Sequence, residues 1–237
     1  MTQKQLTPSQ ATRNLELSID SSTRYASVAV SERGECLKER TWRADRNHSV
    51  ELVPAINGVL SAAEVSSSDL TAIFVARGPG GFSALRVGIA TAKSMAMGLN
   101  VPLVSIGTLT IEIAPYVPSE LPVCAIIAGG GARLYAGWSG ADSEEFAVLT
   151  VEELADRTVE RTVFCGEGAA AAEATLTSRL GDLADVRPTP PPTRRAGTLA
   201  ALGFARLESG DCDDPDVLEP LYMRSAQYEV AYKAHIQ

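Results

Sequence analysis

Three polar side chains that could bind phosphate follow the first predicted strand of the sequence. Asp20, Ser22 and Thr23 come directly after residues 15–19, which are expected to form that short strand. A carboxylate and two hydroxyls at a strand end can hold a magnesium ion together with phosphate oxygens. The same residue types also form turns in which an Asp or Ser side chain hydrogen-bonds to the nearby backbone and closes a hairpin. The residues favour the turn and leave the phosphate site as the alternative.

A second candidate for anion binding is the glycine-rich turn Gly78-Pro79-Gly80-Gly81, which precedes a predicted helix. Backbone N–H groups at the start of a helix can bind an anion. A phosphate-binding P-loop, however, requires a lysine directly after its last glycine, and the nearest following lysine here is Lys93. Lys93 lies more than two turns into the helix, so the pattern favours a structural turn.

The histidines and cysteines form no pattern that predicts catalysis or metal binding. The chain has two histidines, His48 and His235, which cannot supply a histidine cluster. The four cysteines lie far apart without a Cys-x-x-Cys pair, which indicates reduced thiols rather than disulfides or a zinc site. No Gly-x-Ser-x-Gly nucleophile motif occurs either. We therefore predict no catalytic residue and no metal ligand.

The composition points to a cytoplasmic protein that does not bind nucleic acid over a broad surface. The 237 residues carry a formal charge of −8, whereas a phosphate-binding surface needs clustered Lys and Arg. Contact with nucleic acid is therefore expected to be made mainly by a partner. No apolar run approaches the roughly 18–20 residues of a membrane span, and the polar first residues lack the apolar core of a signal peptide.

Two predicted helices carry more apolar or small residues than one sheet face needs. The first covers residues 49–63, with Ser49 as its cap and an apolar stripe that includes Leu52, Val53, Ile56 and Leu60. The second covers residues 82–98. Its residues Leu85 and Ile89 are expected to pack on the chain's own sheet. The small side chains of its other face, at Ala84, Gly88 and Thr91 and continuing to Met95, predict a groove for another helix.

The remaining elements predict two consecutive α/β units. In the first unit, strands 15–19, 25–30 and 36–42 precede the first helix, and strands 72–76 and 101–106 flank the second helix, before a short helix over 108–115. In the second unit, strands 123–128, 133–138, 146–149, 161–165 and 184–187 accompany helices 151–155 and 167–180, the former capped by Thr150. The predicted domains are a disordered tail (1–13), a first half (14–114), a second half (115–222) whose helix 194–209 packs on the first, and a tail (223–237).

The run RGPGGFSALRVGIATAK, with LSIDSST and RNHSVELVP upstream of it, resembles the TsaB family, also called YeaZ, of bacterial tRNA-modification proteins. The resemblance implies an α/β actin-like fold (ASKHA, ribonuclease H-like) of two tandem half-domains with mixed sheets. It also implies a degenerate nucleotide site at Asp20, Ser22 and Thr23. No cofactor is expected to bind tightly, and ADP or ATP is expected to bind only weakly, at the junction with partners.

The resemblance further implies a non-catalytic scaffold that binds a TsaD homologue and supports transfer of a threonylcarbamoyl group to N6 of adenosine 37 in ANN-decoding tRNAs. A TsaE-type ATPase is expected as a further partner, with tRNA contacted only indirectly and a homodimer in isolation. An actin-like ATPase or kinase is the alternative, and a peptidase is a weaker one. The predicted partner interface comprises Ser49, Leu52, Val53, Ile56, Leu60, Ala84, Gly88, Thr91 and Met95.

Two segments depart from the patterns of these families. Thr108 and Glu112 stand where an alignment on the preceding strand places the two metal-binding histidines of TsaD. A hydroxyl and one carboxylate replace two imidazoles poorly, so that metal is not expected here. The glycines at positions 129–131 replace an Asp-Ala-Arg-x-Gly-Glu pattern of the TsaB family and predict a hairpin loop.

Overall fold

A computed structural model describes residues 13–45, 47–140 and 146–221. Its first five strands form one mixed sheet in the order β3-β2-β1-β4-β5. Strands β1 and β2 pair antiparallel, as do β2 and β3, whereas β4 lies parallel to both β1 and β5. Their bounds are Leu15–Asp20 (β1), Tyr25–Glu32 (β2), Glu35–Arg43 (β3), Ala72–Ala76 (β4) and Leu103–Ile106 (β5).

The second sheet repeats this topology with the next five strands. They are arranged in the order β10-β9-β6-β7-β8, with the first three in sequence antiparallel and the last two added parallel. This duplication confirms the predicted actin-like fold of two tandem half-domains with mixed sheets. The strands are Val123–Gly130 (β6), Arg133–Trp138 (β7), Ala147–Leu149 (β8), Thr162–Cys165 (β9) and Ala184–Val186 (β10).

Six α-helices cover the sheets of the described residues. Helices α1 and α2 pack on one face of the first sheet, where Ile73 and Val75 belong to their shared core. Because side chains alternate along a strand, Phe74 points to the opposite face, which α6 covers. The helices are His48–Ala62 (α1), Phe82–Leu99 (α2), Thr108–Ile113 (α3), Val151–Arg157 (α4), Ala169–Leu180 (α5) and Ala196–Glu208 (α6).

The two halves exchange one helix each. Helix α3 follows the first sheet in sequence, yet its residues Leu109 and Ile113 pack on Val123 of the second sheet. Helix α6 follows the second sheet and packs on the first. Residues 115–122 therefore separate the sheets in sequence, but the core of each half includes a helix from beyond that boundary.

The predicted helix caps have different outcomes. Thr150 accepts a hydrogen bond from the Glu153 backbone N–H, and Glu153 in turn accepts one from the Thr150 N–H, which confirms this cap. Ser49 is wrong as a cap: α1 begins at His48, so Ser49 lies inside its first turn.

Of the predicted tails, residues 1–12 and 223–237 lie outside the described residues, whereas Arg13 pairs with Glu32 at 2.8 Å.

The close approach of α6 to the first sheet gives a stability prediction. A Cβ atom added at Gly203 would lie 2.5–2.9 Å from ring atoms of the fully buried Phe74. Gly203→Ala therefore forces the helix away from the sheet, and we expect a loss of about 1–3 kcal/mol in the free energy of unfolding. Urea unfolding measures this loss.

The matched control is Gly98→Ala on α2, where an added Cβ has nothing within 4 Å. Alanine there is expected to gain about 0.5–1 kcal/mol because it is the better helix former. Equal effects of the two substitutions would contradict the tight contact between α6 and Phe74.

Candidate functional site

One buried arginine connects the two halves of the chain. The Arg194 side chain is 2% exposed, and its Nε donates a hydrogen bond of 2.8 Å to Asp20 Oδ2. Its Nη1 donates to Glu112 Oε1 at 2.7 Å and lies 3.1 Å from Glu167 Oε1. Its Nη2 donates to Thr23 Oγ1 at 2.9 Å. A single guanidinium thus contacts three carboxylates and one hydroxyl.

The groups around this guanidinium come from four separate parts of the fold. Asp20 is the last residue of β1, and Glu112 lies on α3. Glu167 follows β9 before α5 begins, and Arg194 precedes α6 on the connector from the second sheet. The carboxyl ends of β1 and β9 therefore meet at the guanidinium, which also joins α3 to the segment that precedes α6.

Further hydrogen bonds fix the carboxylates in place. The backbone N–H of Ser22 donates to Asp20 Oδ1 at 2.8 Å, and the Ser22 hydroxyl donates to the same oxygen. Thr193 donates to Glu112 Oε1 at 2.7 Å, and Thr23 donates to Glu167 Oε1 at 2.8 Å. Buried carboxylates need such partners because an unpaired charge is costly to remove from water.

The protonation of the cluster follows from burial and charge. Burial raises the pKa of Glu112, and the Arg194 guanidinium and the Thr193 hydroxyl oppose that rise. For Arg194, burial by itself would lower the pKa, but Asp20, Glu112 and Glu167 together raise it above its ordinary value. Arg194 therefore stays charged, and Glu112 retains a proton to higher pH than an exposed glutamate does.

The loop over residues 20–23 also contacts the first turns of α1 and α2. Ser21 Oγ donates to the Ala84 carbonyl oxygen at 2.7 Å, and Gly81 N–H donates to the Ser22 carbonyl oxygen at 2.7 Å. His48 Nε2, at the start of α1, lies 2.9 Å from the Thr23 carbonyl oxygen. This loop, which we call the 20–23 loop, thus lies between the guanidinium and the two helices.

The structure brings the three predicted phosphate-site residues together, as the sequence indicated. Asp20 and Ser22 form the side-chain turn that was the other interpretation, and both are buried. The Oδ2 of Asp20 accepts a hydrogen bond from Arg194 Nε, so this oxygen is already paired within the chain. Nucleotide binding at the junction with partners stays a prediction.

Sequence reasoning missed Arg194 and Glu167. Arg194 lies in a proline-rich connector beside the exposed Arg195, and nothing in that local pattern distinguishes the two arginines. Glu167 lies between two glycines just after a predicted strand, which is the position that made Asp20 a candidate. The position at a strand end could therefore have identified Glu167 as a candidate site residue. No local pattern could have identified Arg194.

Four of the predicted interface residues are wrong, because they belong to the chain's own core. Leu52, Ile56 and Leu60 are at most 5% exposed and pack in the first half. Gly88 is buried against the chain's own Ser21, whose hydroxyl an added Cβ would contact. Helical spacing shows that a stripe is buried but does not show what buries it.

The other five predicted interface residues keep surface available. Ser49 and Val53 on α1 are exposed, and Ala84, Thr91 and Met95 on α2 are half-buried. Val50, Phe82 and Met97 are exposed as well and were not included in the prediction; their exposed fractions are 72%, 53% and 56%.

The two buried thiols and His48 are not arranged for nucleophilic catalysis. Burial raises the pKa of the Cys165 thiol to about 12 and that of Cys124 well above its ordinary value, so both stay protonated. His48 contacts a backbone carbonyl oxygen rather than a serine or cysteine. Within residues 13–45, 47–140 and 146–221, no group of three or more His, Cys, Asp or Glu side chains has a geometry that could hold a metal ion.

None of the helices in the described residues combines the length and the apolar character that crossing a bilayer demands.

The amino-acid sequence is similar to those of known proteins. Residues 42–232 match the family model of TsaD, tRNA N6-adenosine threonylcarbamoyltransferase. The chain is 31% identical over 93 residues to the Bacillus subtilis tRNA threonylcarbamoyladenosine biosynthesis protein TsaB, covering 39% of this chain and 41% of that protein. It is 36% identical over 95 residues to the tRNA N6-adenosine threonylcarbamoyltransferase of Christiangramia forsetii, covering 37% and 28% respectively. These alignments span less than half the length of the curated relatives.

A solved structure extends the likeness across the chain. The Pseudomonas aeruginosa protein described as similar to peptidase YEAZ superposes with a TM-score of 0.71 at 25% identity. The match covers 89% of this chain and all of that one, so it includes both half-domains.

The cluster at Arg194 gives a pH-dependent prediction. Arg194→Met leaves Asp20, Glu112 and Glu167 buried together without a cation, and we expect a loss of about 3–5 kcal/mol in unfolding free energy at pH 8. In the folded variant Glu112 loses the guanidinium that opposes the rise of its pKa on burial, so the folded state binds more protons than the unfolded chain. Stability must fall as pH rises through the raised pKa of Glu112, and the deficit relative to the unsubstituted chain should shrink at pH 5. Urea unfolding at both pH values measures it.

The control is Arg195→Met, which removes an arginine that is 64% exposed and pairs with Glu39. We expect this change to stay within about 0.5 kcal/mol at both pH values, as is usual for surface positions. A deficit for Arg194→Met that is the same at pH 5 and pH 8 would show that the carboxylates do not repel one another in the fold.

Proposed function

Because this chain belongs to the TsaB (YeaZ) family of tRNA threonylcarbamoyladenosine biosynthesis proteins, we propose that it is a non-catalytic subunit that binds a TsaD-type chain and supports its reaction. That reaction transfers a threonylcarbamoyl group to N6 of adenosine 37 in ANN-decoding tRNAs. In the proposal a TsaE-type ATPase joins the complex in the cytoplasm, ADP or ATP binds weakly at the junction, and the chain self-associates in the absence of its partner.

The observation that carries the proposal is the small number of charged groups on the outer surface of α1 and α2. Glu51 is the one acidic or basic residue of α1, apart from His48, and its carboxylate accepts a hydrogen bond of 2.8 Å from Trp42 Nε1. Helix α2 has two charged residues: Arg86 stacks over Phe82 at 4.0 Å, and Lys93 donates to the Leu218 carbonyl oxygen at 3.1 Å. Charged side chains normally cover the outer face of a surface helix.

Apart from Arg86, the groups that remain outward on these two helices are uncharged. We call this surface the α1–α2 face. The helices pack side by side, so their outward residues form one continuous surface with few charges to desolvate, as protein interfaces require. The α1–α2 face comprises the exposed residues Ser49, Val50, Val53, Pro54, Asn57, Ala90, Ser94 and Met97 with the half-buried Ala84, Val87, Thr91 and Met95.

The non-catalytic role is supported by how the chain uses its own reactive groups. Asp20 and Glu112 are held by Arg194, and the buried thiols stay protonated. The formal charge of −8 favours contact of the tRNA with the partner rather than with this chain. The alternative, an actin-like ATPase or kinase, is favoured by the position of Asp20 at the end of β1 and opposed by its ion pair with Arg194.

A charge placed on the α1–α2 face tests the proposal. Val53 is 51% exposed, so Val53→Arg leaves the core of the chain intact and places an arginine against the partner. We expect the Kd for the TsaD homologue of the same organism to rise at least about tenfold, because a buried unpaired charge costs more than 1.4 kcal/mol. Calorimetry measures the Kd, and a reconstituted tRNA modification assay should lose activity in parallel.

The control is Val159→Arg, at a valine that is 85% exposed between α4 and β9 in the other half. It should bind as the unsubstituted chain does. Unchanged binding by Val53→Arg would contradict the proposed face, and ATP turnover by the isolated chain that Asp20→Ala abolishes would favour the ATPase alternative.

A further inference from the structure

The 20–23 loop is held on one side by the buried guanidinium. Arg194 Nε binds the Asp20 carboxylate and Nη2 binds the Thr23 hydroxyl, so the two ends of the loop are attached to one rigid planar group. The same guanidinium is attached to Glu112 and Glu167, which pack with the second sheet. Through Arg194, the position of the loop is therefore set by the second half of the chain.

On its other side the loop packs closely against α1, α2 and the glycine-rich turn that precedes α2. A Cβ added at Gly80 would contact the Ser22 carbonyl oxygen, and one added at Gly88 would contact the Ser21 hydroxyl. The Ser21 hydroxyl also donates to Ala84, and His48 contacts the Thr23 carbonyl oxygen. Packed groups of this kind transmit a displacement rather than absorbing it. Movement of the loop must therefore move the first turns of both helices.

From these contacts we infer that Arg194 is a positioning residue for partner binding. Its guanidinium sets the relative placement of α1 and α2 from inside the chain, although Arg194 has no surface on the α1–α2 face. Only the effect of Arg194 on partner binding rests on the proposed function, because the coupling of Arg194 to the helix ends exists in the isolated chain.

The experiment uses Arg194→Ala and rescue by free guanidinium ion. The substitution removes the side chain and leaves three carboxylates that a guanidinium ion can bind with the same planar set of donors. Amide hydrogen exchange is measured on the isolated full chain with guanidinium chloride at low millimolar concentration, far below denaturing levels. Sodium chloride at equal ionic strength serves as the salt control, and Arg195→Ala as the variant control.

We expect Arg194→Ala to raise exchange about tenfold in the 20–23 loop and in the first turns of α1 and α2, and guanidinium to reverse the rise. In the partner arm, the Kd for the TsaD homologue should rise about fivefold or more, the lower end of ordinary coupling between sites, and should recover with guanidinium. Sodium chloride should restore neither measurement, and Arg195→Ala should change neither.

The outcomes separate this inference from the proposed function. In Arg194→Ala, increased exchange that is equal across both sheets would overturn the positioning role, since it indicates general loss of stability. Increased exchange of that variant that guanidinium does not reverse would overturn it as well, because the effect would then not come from the missing guanidinium. Local exchange changes with an unaltered Kd would overturn the coupling to partner binding if Val53→Arg still weakens that binding. If Val53→Arg leaves binding unchanged, the face itself is wrong, and the exchange results stand independently.

A second variant covers the case in which Arg194→Ala does not fold. Arg194→Lys keeps the positive charge but has a single ammonium in place of the planar fork, so it cannot bind Asp20, Glu112 and Thr23 together. It should show a smaller, local rise in exchange in the 20–23 loop that guanidinium does not reverse, because the lysine fills the site. Exchange identical to that of the unsubstituted chain would contradict the inference.

Discussion

Three carboxylates and one guanidinium, which meet at the junction of the two halves with Glu167 alone partly exposed, are the interaction on which the rest of this structure depends. Taking these groups out of water is costly, and the cost is offset only while every member keeps its partners. Asp20, Glu112 and Glu167 come from different elements, so no half of the chain can satisfy the cluster alone. The cluster therefore specifies how the two sheets are placed relative to each other.

The helix exchange and the ionic cluster act on the same junction. Glu112 lies on α3, the helix of the first half that packs on the second sheet. Arg194 immediately precedes α6, the helix of the second half that packs on the first sheet. The ion pair between them joins the two exchanged helices to each other. Apolar packing holds each helix on its sheet, and the ion pair fixes the position of α3 relative to the N-terminal end of α6. This arrangement differs from two independent domains joined by a linker.

Local patterns in the sequence predicted the elements well because the physical causes are local. The strand over 72–76 has the predicted bounds, the helix over 82–98 extends by one residue, and Thr150 caps α4 as its Thr-x-x-Glu spacing indicates. The site was predicted less well because its contacts are not local. Arg194 and Asp20 are 174 residues apart, and neither local spacing nor composition relates them. Gly88 shows a similar limit, since a small residue on a helix permits close approach by any neighbour, including Ser21 of its own chain.

The position of α6 has a consequence for how the chain is made. Its residues Leu199 and Gly203 cover the face of the first sheet that carries Phe74, yet they lie near the end of the described sequence. All ten strands are therefore synthesised before α6, the helix that covers the first sheet, leaves the ribosome. Until then the side of the sheet with Phe74 is open to water and to chaperones, so the N-terminal half cannot reach its final state during its own synthesis. In this protein the half that is synthesised before the other is among the last parts to finish folding.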